Sequence, residues 1–449
     1  MSKLFAALCF TMFISSCTQA PTTATQGVNS PAAPKLEKSA LDNVLNRYKD
    51  SQHFMGSVAI YQSGKPVYSY ASGYSNVENN TLSTPETRYR IGSITKSFTA
   101  LLILMAYEEG KLTLDQTLDL FYPEIANANK ITIAMLLNHS SGVKNYNSIP
   151  AMQTMMYSGV SKQELVSLIS NFDSEFEPGT QERYSNSNYI LLTFILERLY
   201  QATYAQLISE KIATPLGLKD TYYGQKIDVE KGEAYSYINE NGYEKAIEAD
   251  GSVMLGAGGV ISTTLDLAKL FDALFAGNIL KASTLDKMLA INYSFGLGVQ
   301  KLTYGGKVSY GHRGHVDEFH SVVLHIPEQG MTLAILENGS FSELPDIVKD
   351  IYYAYFSMDE KASQALLNKF TGRFQEATDP EHIAEFKVKD DQLILVIGGE
   401  FEEPLLYTGG TDFLFDQSYS PAITFTFKDD GQSLIFKQEK VEVVMNRIQ

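Results

Sequence analysis

Ser93-Ile-Thr-Lys-Ser-Phe-Thr-Ala-Leu-Leu-Ile-Leu-Met105 decides how the rest of the chain is read. Ile94, Phe98, Leu101, Leu102 and Met105 recur at helical spacing, so the segment predicts a helix that Ser93 opens. Positions three apart share a helical face, which sets Lys96 beside Ser93. A helix N-terminus adds free N–H groups and partial positive charge where an oxyanion would form. S-x-x-K alone is a weak signal, because an ordinary N-cap serine with a solvated lysine reads the same way. A second match, Ser141-Gly-Val-Lys144, is followed by no apolar period and reads as a loop. Other routes to hydrolysis are missing. There is no G-x-S-x-G and no H-E-x-x-H. The only cysteines, Cys9 and Cys17, lie near the N-terminus, so the folded part has no disulfide, thiolate site or cysteine nucleophile.

Two further stretches belong with Ser93. Tyr184-Ser-Asn186 precedes an apolar helical run, at a loop-to-helix junction where side chains can face a cleft. Tyr-x-Asn also occurs at Tyr74 and Tyr237, so position matters more than the motif. A phenolate near an ammonium is a workable base, and Lys96 is expected to lower the pKa of Tyr184. The second stretch is Tyr310-Gly-His-Arg-Gly-His315. A metal reading would use His312, His315, Asp317 and His320. In a strand, however, 312 and 315 point to opposite faces, and the spacing does not fit H-x-H-x-D-H. The reading adopted is a strand edge, with Gly314 letting a substrate backbone come close. No metal and no cofactor are expected.

Composition bounds the partners. The chain has 449 residues, 44% hydrophobic and 20% charged, which suits a globular protein with a sizeable core. Its net charge is −16, which argues against nucleic acid. Residues 1–16 read as an export signal: Met-Ser-Lys, an apolar stretch from Leu4 to Ile14, then Ser15-Ser16 before Cys17. Ile14-Ser-Ser-Cys17 resembles a bacterial lipobox, which implies lipidation of Cys17 and a membrane anchor on the envelope side. Residues 17–35 form an uncharged, flexible tether up to Lys35.

The body is predicted to span 36–358. A helix over 36–50 leads into a hairpin built on Val58–Ile60 and Val67–Tyr70. Helices follow near 186–199, 263–276 and 344–356. Strand signals return at 296–299, 320–326 and 331–336. Early strands, central helices and late strands make an α+β layout with an antiparallel sheet assembled from both ends. From 360 to 449 the rhythm changes to short strands with turns at Asp390-Asp391 and Asp429-Asp-Gly431, predicting a small all-β, barrel-like domain. That domain is expected to cover or shape the cleft.

In this order and at these separations, the three motifs resemble the serine β-lactamase and DD-peptidase superfamily, closest to its class C-like branch. Thr81-Leu-Ser-Thr-Pro-Glu-Thr-Arg-Tyr-Arg-Ile-Gly-Ser93, Ile131-Thr-Ile-Ala-Met-Leu-Leu-Asn-His-Ser-Ser-Gly142, Pro215-Leu-Gly-Leu-Lys-Asp-Thr221 and Gly256-Ala-Gly-Gly-Val-Ile-Ser262 carry the likeness across about residues 40 to 357. It implies a β-lactamase/transpeptidase-like fold. It also implies Ser93 as the acylated nucleophile, with Lys96 and Tyr184 sharing the proton work. Asn186 would orient Lys96 and the substrate amide. His312 stands where lactamases carry the lysine of K-T-G, and Gly314 lines the substrate strand. The N–H groups of Ser93 and His315 would form the oxyanion hole. Arg313, His315 and Glu318 depart from the usual small residues. The implied activity is an acyl-enzyme hydrolase acting on an ester, an amide or a D-amino-acid peptide in the cell envelope. A β-lactamase, or a non-catalytic surface protein that keeps the fold, are the alternatives.

Overall fold

The computed structural model describes residues 37–448 except 52, 240–241, 292–293, 340–343, 358–361, 398, 400, 417–421 and 439–440. The segments expected to be an export signal and a tether, with Cys17, lie outside the described residues.

Six antiparallel strands form the main sheet: β1 (Gly56–Gln62), β2 (Lys65–Ser72), β3 (Gln300–Tyr304), β4 (Lys307–Val316), β5 (Phe319–Ile326) and β6 (Met331–Glu337). Their order is β3-β4-β5-β6-β1-β2, so the sheet does join the two ends of the body. Both faces are covered, and the period-2 alternation shows it. Val322, Leu324, Leu333 and Ile335 pack under helices α1 (Lys38–Asp50) and α5 (Leu344–Tyr355). Val323, Ala334 and Leu336 point the other way into a larger core, shared with α2 (Thr95–Glu108), α3 (Asn186–Tyr200) and α4 (Thr264–Phe275).

α2 is apolar around most of its circumference, with every residue from Thr95 to Leu104 buried. A helix of that kind belongs inside a core rather than on a surface. α3 is buried from Ser187 to Leu196 and packs against it. These two helices carry the motif residues at their N-terminal ends.

The strand expected at 296–299 is not formed. The chain instead bends at Gly298, with φ +81°, where a β-carbon would come within 2.2 Å of Ala100 Cβ on α2. Its carbonyl accepts a hydrogen bond from Ser97 Oγ (2.7 Å). Close approach to α2, rather than strand pairing, sets this segment, and β3 starts two residues later.

Among its described residues the tail holds a short helix, α6 (Gln364–Phe370), and nine antiparallel strands. These are β7 (Gly372–Glu376), β8 (Ile383–Lys389), β9 (Gln392–Ile397), β10 (Phe401–Pro404), β11 (Leu406–Gly409), β12 (Asp412–Phe415), β13 (Ile423–Phe427), β14 (Ser433–Gln438) and β15 (Val441–Ile448). The order β10-β9-β8-β7-β15-β14-β13-β12-β11 makes an all-β, near-barrel domain. Asp390 and Asp391, both at positive φ, make the β8–β9 turn that their chemistry predicts. Phe370, Phe374, Phe386, Phe413, Phe425 and Phe427 fill a core of its own. Asp416, just after β12, ties this domain to the body by accepting from Gly305 N (2.5 Å) in the β3–β4 turn.

Candidate active site

Ser93 sits in a single 3-10 turn, Gly92–Ile94, which runs straight into α2. Its side chain is half-buried, whereas Lys96, one turn on, is fully buried. Lys96 Nζ lies 3.1 Å from Ser93 Oγ and donates to Asn186 Oδ1 (2.7 Å) and to the Ala257 carbonyl (2.7 Å). Tyr184 reaches in from the loop before α3, and its hydroxyl donates to Ser93 Oγ at 2.6 Å. Asn186 opens α3 and is held from two sides. Its N–H donates to Asn145 Oδ1 (3.1 Å), and its Nδ2 donates to Asn147 Oδ1 (2.8 Å). The four motif residues therefore form one connected cluster.

Burial sets the protonation of this cluster. It pushes Lys96 well below the ordinary lysine range. It also pushes the Tyr184 phenol above its ordinary value, with only partial relief from the Ser93 hydrogen bond. The expectation that Lys96 lowers Tyr184 is thus reversed. A buried lysine that favours its neutral amine offers no full charge to stabilise a phenolate.

His139 supports Tyr184 from behind. It is buried, its ring lies 4.5 Å from that of Tyr184, and Nδ1 accepts from Ser185 N (3.2 Å). Phe295 packs on both rings at 4.8 and 5.7 Å. Neither His139 nor Phe295, nor the Ala257 carbonyl and Asn147, was singled out from sequence. Ala257 sits in a glycine-rich stretch, Gly251–Gly258, broken by a non-helical Leu255 (φ 39°, ψ −136°). That break, a backbone feature with no sequence signature of its own, turns the Ala257 carbonyl toward Lys96.

β4 supplies the other wall. β3 pairs with it only as far as Gly311, opposite Gln300, so β4 runs on from His312 to Val316 without β3 beside it. The turn around Ser93 approaches there. A β-carbon on Gly314 would come within 2.1 Å of Ile91 O and 3.0 Å of Ser93 N, and one on Gly92 within 2.7 Å of His315 N. Only glycine permits this contact, which brings the backbones of Ser93 and His315 together. Ser321 Oγ locks it by donating to Ile91 O (2.8 Å). His312 is buried, and its Nδ1 donates to its neighbour's carbonyl, Arg313 O, at 2.5 Å. Nε2 is thereby left as a buried acceptor with no hydrogen-bond partner among the described residues. Burial, with Lys96 adding, pushes His312 down to about 3. It is neutral at physiological pH rather than the partial cation that an ordinary histidine would be.

The contiguous match to a sequence family model runs over residues 41–355, and its description is Beta-lactamase. The chain belongs to the β-lactamase family. Penicillin-binding protein 4* of Bacillus subtilis (strain 168) is 23% identical over 439 residues, covering 88% of this chain and 95% of that protein. Teichoic acid D-alanine hydrolase of Staphylococcus aureus is 28% identical over 246 residues, 53% of this chain and 57% of that protein. The solved structure of D-amino acid amidase from Ochrobactrum anthropi SV3, complexed with L-phenylalanine amide, matches with a TM-score of 0.65 at 26% identity, covering 72% of this chain and 99% of that one. As a member of this family the protein is a serine hydrolase of the β-lactamase-related type.

The remaining sequence candidates are dispersed. Ser141 is buried and donates to Asn188 Oδ1 (2.8 Å), while Lys144 Nζ lies over the Phe172 ring (5.6 Å), so the second S-x-x-K is structural. Asp317 is taken up by Arg90 (3.0 Å). Arg313 pairs across the sheet with Val322, on the face under α1 and α5, whereas His312 pairs with Val323 on the other.

Proposed function

We propose that the protein cleaves an ester or amide bond of a D-amino-acid substrate through an acyl-enzyme on Ser93. One observation carries the reading: Ser93 Oγ is within hydrogen-bond reach of both Lys96 Nζ (3.1 Å) and Tyr184 OH (2.6 Å). In acylation the Ser93 proton passes to the neutral Lys96 amine as Oγ bonds to the substrate carbonyl carbon. The oxyanion is held by the N–H groups of Ser93 and His315. Tyr184 protonates the leaving group as its bond to carbon breaks. Water then attacks the ester, giving its proton to the Lys96–Tyr184 pair, and Ser93 regains its own. Asn186 orients Lys96. Asn186, His312 and Gly314 contact the substrate, with His312 Nε2 accepting a hydrogen bond from it.

The D-amino-acid class is supported by the amidase and D-alanine hydrolase relatives. A β-lactamase reading is less supported, because a neutral His312 replaces the cation such enzymes use for the substrate carboxylate. The lipobox at Cys17 supports export and anchoring to the envelope. Division into a hydrolase domain over 36–358 and a β domain over 360–449 belongs to the same proposal.

The test is intact-mass analysis after treatment with a fluorophosphonate, followed by hydrolysis assays. One adduct is expected on the native protein and none on Ser93→Ala. D-alanine p-nitroanilide or a D-alanyl ester should be turned over faster than the L-form. A label or turnover that survives Ser93→Ala would overturn the assignment.

A further inference from the structure

We propose that His315, Glu318 and His320 form a binding site for a divalent transition-metal ion of the Zn2+ class at the β4–β5 turn. The binding claim is independent of the reaction assigned to Ser93.

The site is made by register. β4 and β5 are joined by the two-residue turn Asp317-Glu318, with Val316 opposite Phe319 and His315 opposite His320. Directly opposed residues on antiparallel strands share a face. The two imidazoles accordingly lie 4.4 Å apart and within 21° of parallel. Glu318, in the turn, adds a carboxylate, and one donor atom from each of the three residues lies within 4.8 Å of the others. A Zn2+ ion holds nitrogen and oxygen ligands at about 2.0–2.2 Å, hence roughly 3–4 Å from one another. Small side-chain rotations are enough to close the set.

Three further observations separate this cluster from scattered surface polarity. First, the backbone beneath it is fixed. Asp317, at φ 51°, accepts from Arg90 Nη1 (3.0 Å) and from Ala249 N (2.9 Å), and Glu318 N donates to Ser236 Oγ (3.2 Å). A fixed turn holds the donors in place before an ion arrives, which lowers the ordering cost of binding. Second, no hydrogen bond to the side chains of His315, Glu318 or His320 is found among the described residues, so their donor atoms are not committed elsewhere. Third, His315 is exposed while Glu318 and His320 are half-buried, giving an ion a way in and a partly shielded seat.

The donor set selects the ion. Two imidazoles and one carboxylate suit Zn2+ and its first-row neighbours, whereas Mg2+ and Ca2+ prefer oxygen-only shells. Three protein ligands leave a position open. The four-residue set considered from sequence fails because His312 lies on the opposite face and Asp317 is engaged by Arg90. Glu318 takes the place of both.

The test is calorimetric titration of the full chain with Zn2+ near neutral pH, paralleled by Co2+ titration read by visible absorption. One ion per chain is expected, and Co2+ should give the intense bands of a low-coordinate site. His320→Ala and Glu318→Gln should each weaken Zn2+ binding by about tenfold or more, since losing even an outer-shell partner costs roughly 10–100-fold. Thermal melts of both variants check folding. If His320→Ala misfolds, the turn variant Glu318→Gln decides alone. His382→Ala should change nothing. It removes an imidazole elsewhere in the chain that also sits among carboxylates, with Glu376 at 3.0 Å and Asp379 at 3.5 Å. Absence of Zn2+ binding, undiminished affinity in folded Glu318→Gln, or loss only in His382→Ala would overturn the proposal.

Discussion

Lys96 Nζ lies 3.1 Å from Ser93 Oγ while its two other polar contacts, Asn186 Oδ1 and the Ala257 carbonyl, are acceptors. A neutral amine has two hydrogens and one lone pair. With the hydrogens directed at those two oxygens, the lone pair is left for the Ser93 proton. Burial favours that neutral form. A lysine whose pKa is lowered becomes competent as pH rises through its shifted value, so acylation should climb with pH and reach its plateau well below the ordinary lysine pKa. Lys96→Ala should lower the acylation rate by about 10²–10⁴-fold, the usual worth of a positioned base. Stopped-flow acylation across pH tests both. A profile without a rising limb would contradict the assignment.

Tyr184→Phe keeps the packing on His139 and Phe295 but removes the hydroxyl 2.6 Å from Ser93 Oγ. Turnover should fall by about 10²–10⁴-fold, with little change in melting temperature. A loss of activity matched by a large loss of stability would mean that the phenol mainly holds the loop.

His312 makes the opposite case, a histidine that does not titrate in the working range. With its pKa held down to about 3, it stays neutral from about pH 5 to about pH 9. His312→Gln should therefore raise KM while leaving the inflections of the kcat profile where they are. If the variant loses an inflection near neutrality, the histidine charges during turnover and does not stay neutral.

Much of this was legible in the chain, and the reasons are local. Lys96 follows Ser93 by three on an apolar helix, and Tyr184 stands at the mouth of another, so periodicity sets each at a helix start, while the resemblance of the collinear motifs joins them into one site. Alternation correctly separated His312 from His315. What could not be read has no local signature. The Ala257 carbonyl is a backbone group aimed by a break at Leu255. The pairing of His315 with His320 depends on a two-residue turn whose register is a tertiary fact. The charge state of Lys96 follows from the depth of its burial, which its neighbours in sequence do not reveal. The strand expected at 296–299 failed for a related reason, since Gly298 answers to α2 rather than to its own run.

Gly314→Ala should lower acylation more than binding. Its β-carbon would meet Ile91 O at 2.1 Å and Ser321 Oγ at 2.4 Å, both fixed, so β4 must move away from the Ser93 turn. That widens the gap between the two N–H groups proposed for the oxyanion. A loss of about 10²–10³-fold in kcat is expected, as for removal of one such donor. An unchanged kcat in a folded variant would place the oxyanion elsewhere.

Arg90 should prove to be the main electrostatic support of the β4–β5 turn. It is 3% exposed, pairs with Asp317 at 3.0 Å and Glu248 at 2.5 Å, and donates to Ala249 O (2.7 Å) and Gln225 O (2.6 Å). Removing one partner of a buried pair strands the other, so Arg90→Ala should cost about 3–5 kcal/mol at neutral pH. Burial already raises the Asp317 pKa, and Arg90 works against that rise. Without the arginine the carboxyl rises further. A group whose folded pKa lies above its unfolded value costs stability as pH climbs through that interval, and the cost disappears once both states are protonated. The penalty of Arg90→Ala should therefore be largest near neutrality and shrink as pH falls toward about 4. Urea unfolding of both proteins at the two pH values measures it. A penalty independent of pH would show that Arg90 acts through its two carbonyl contacts and not through its carboxylate partners Asp317 and Glu248.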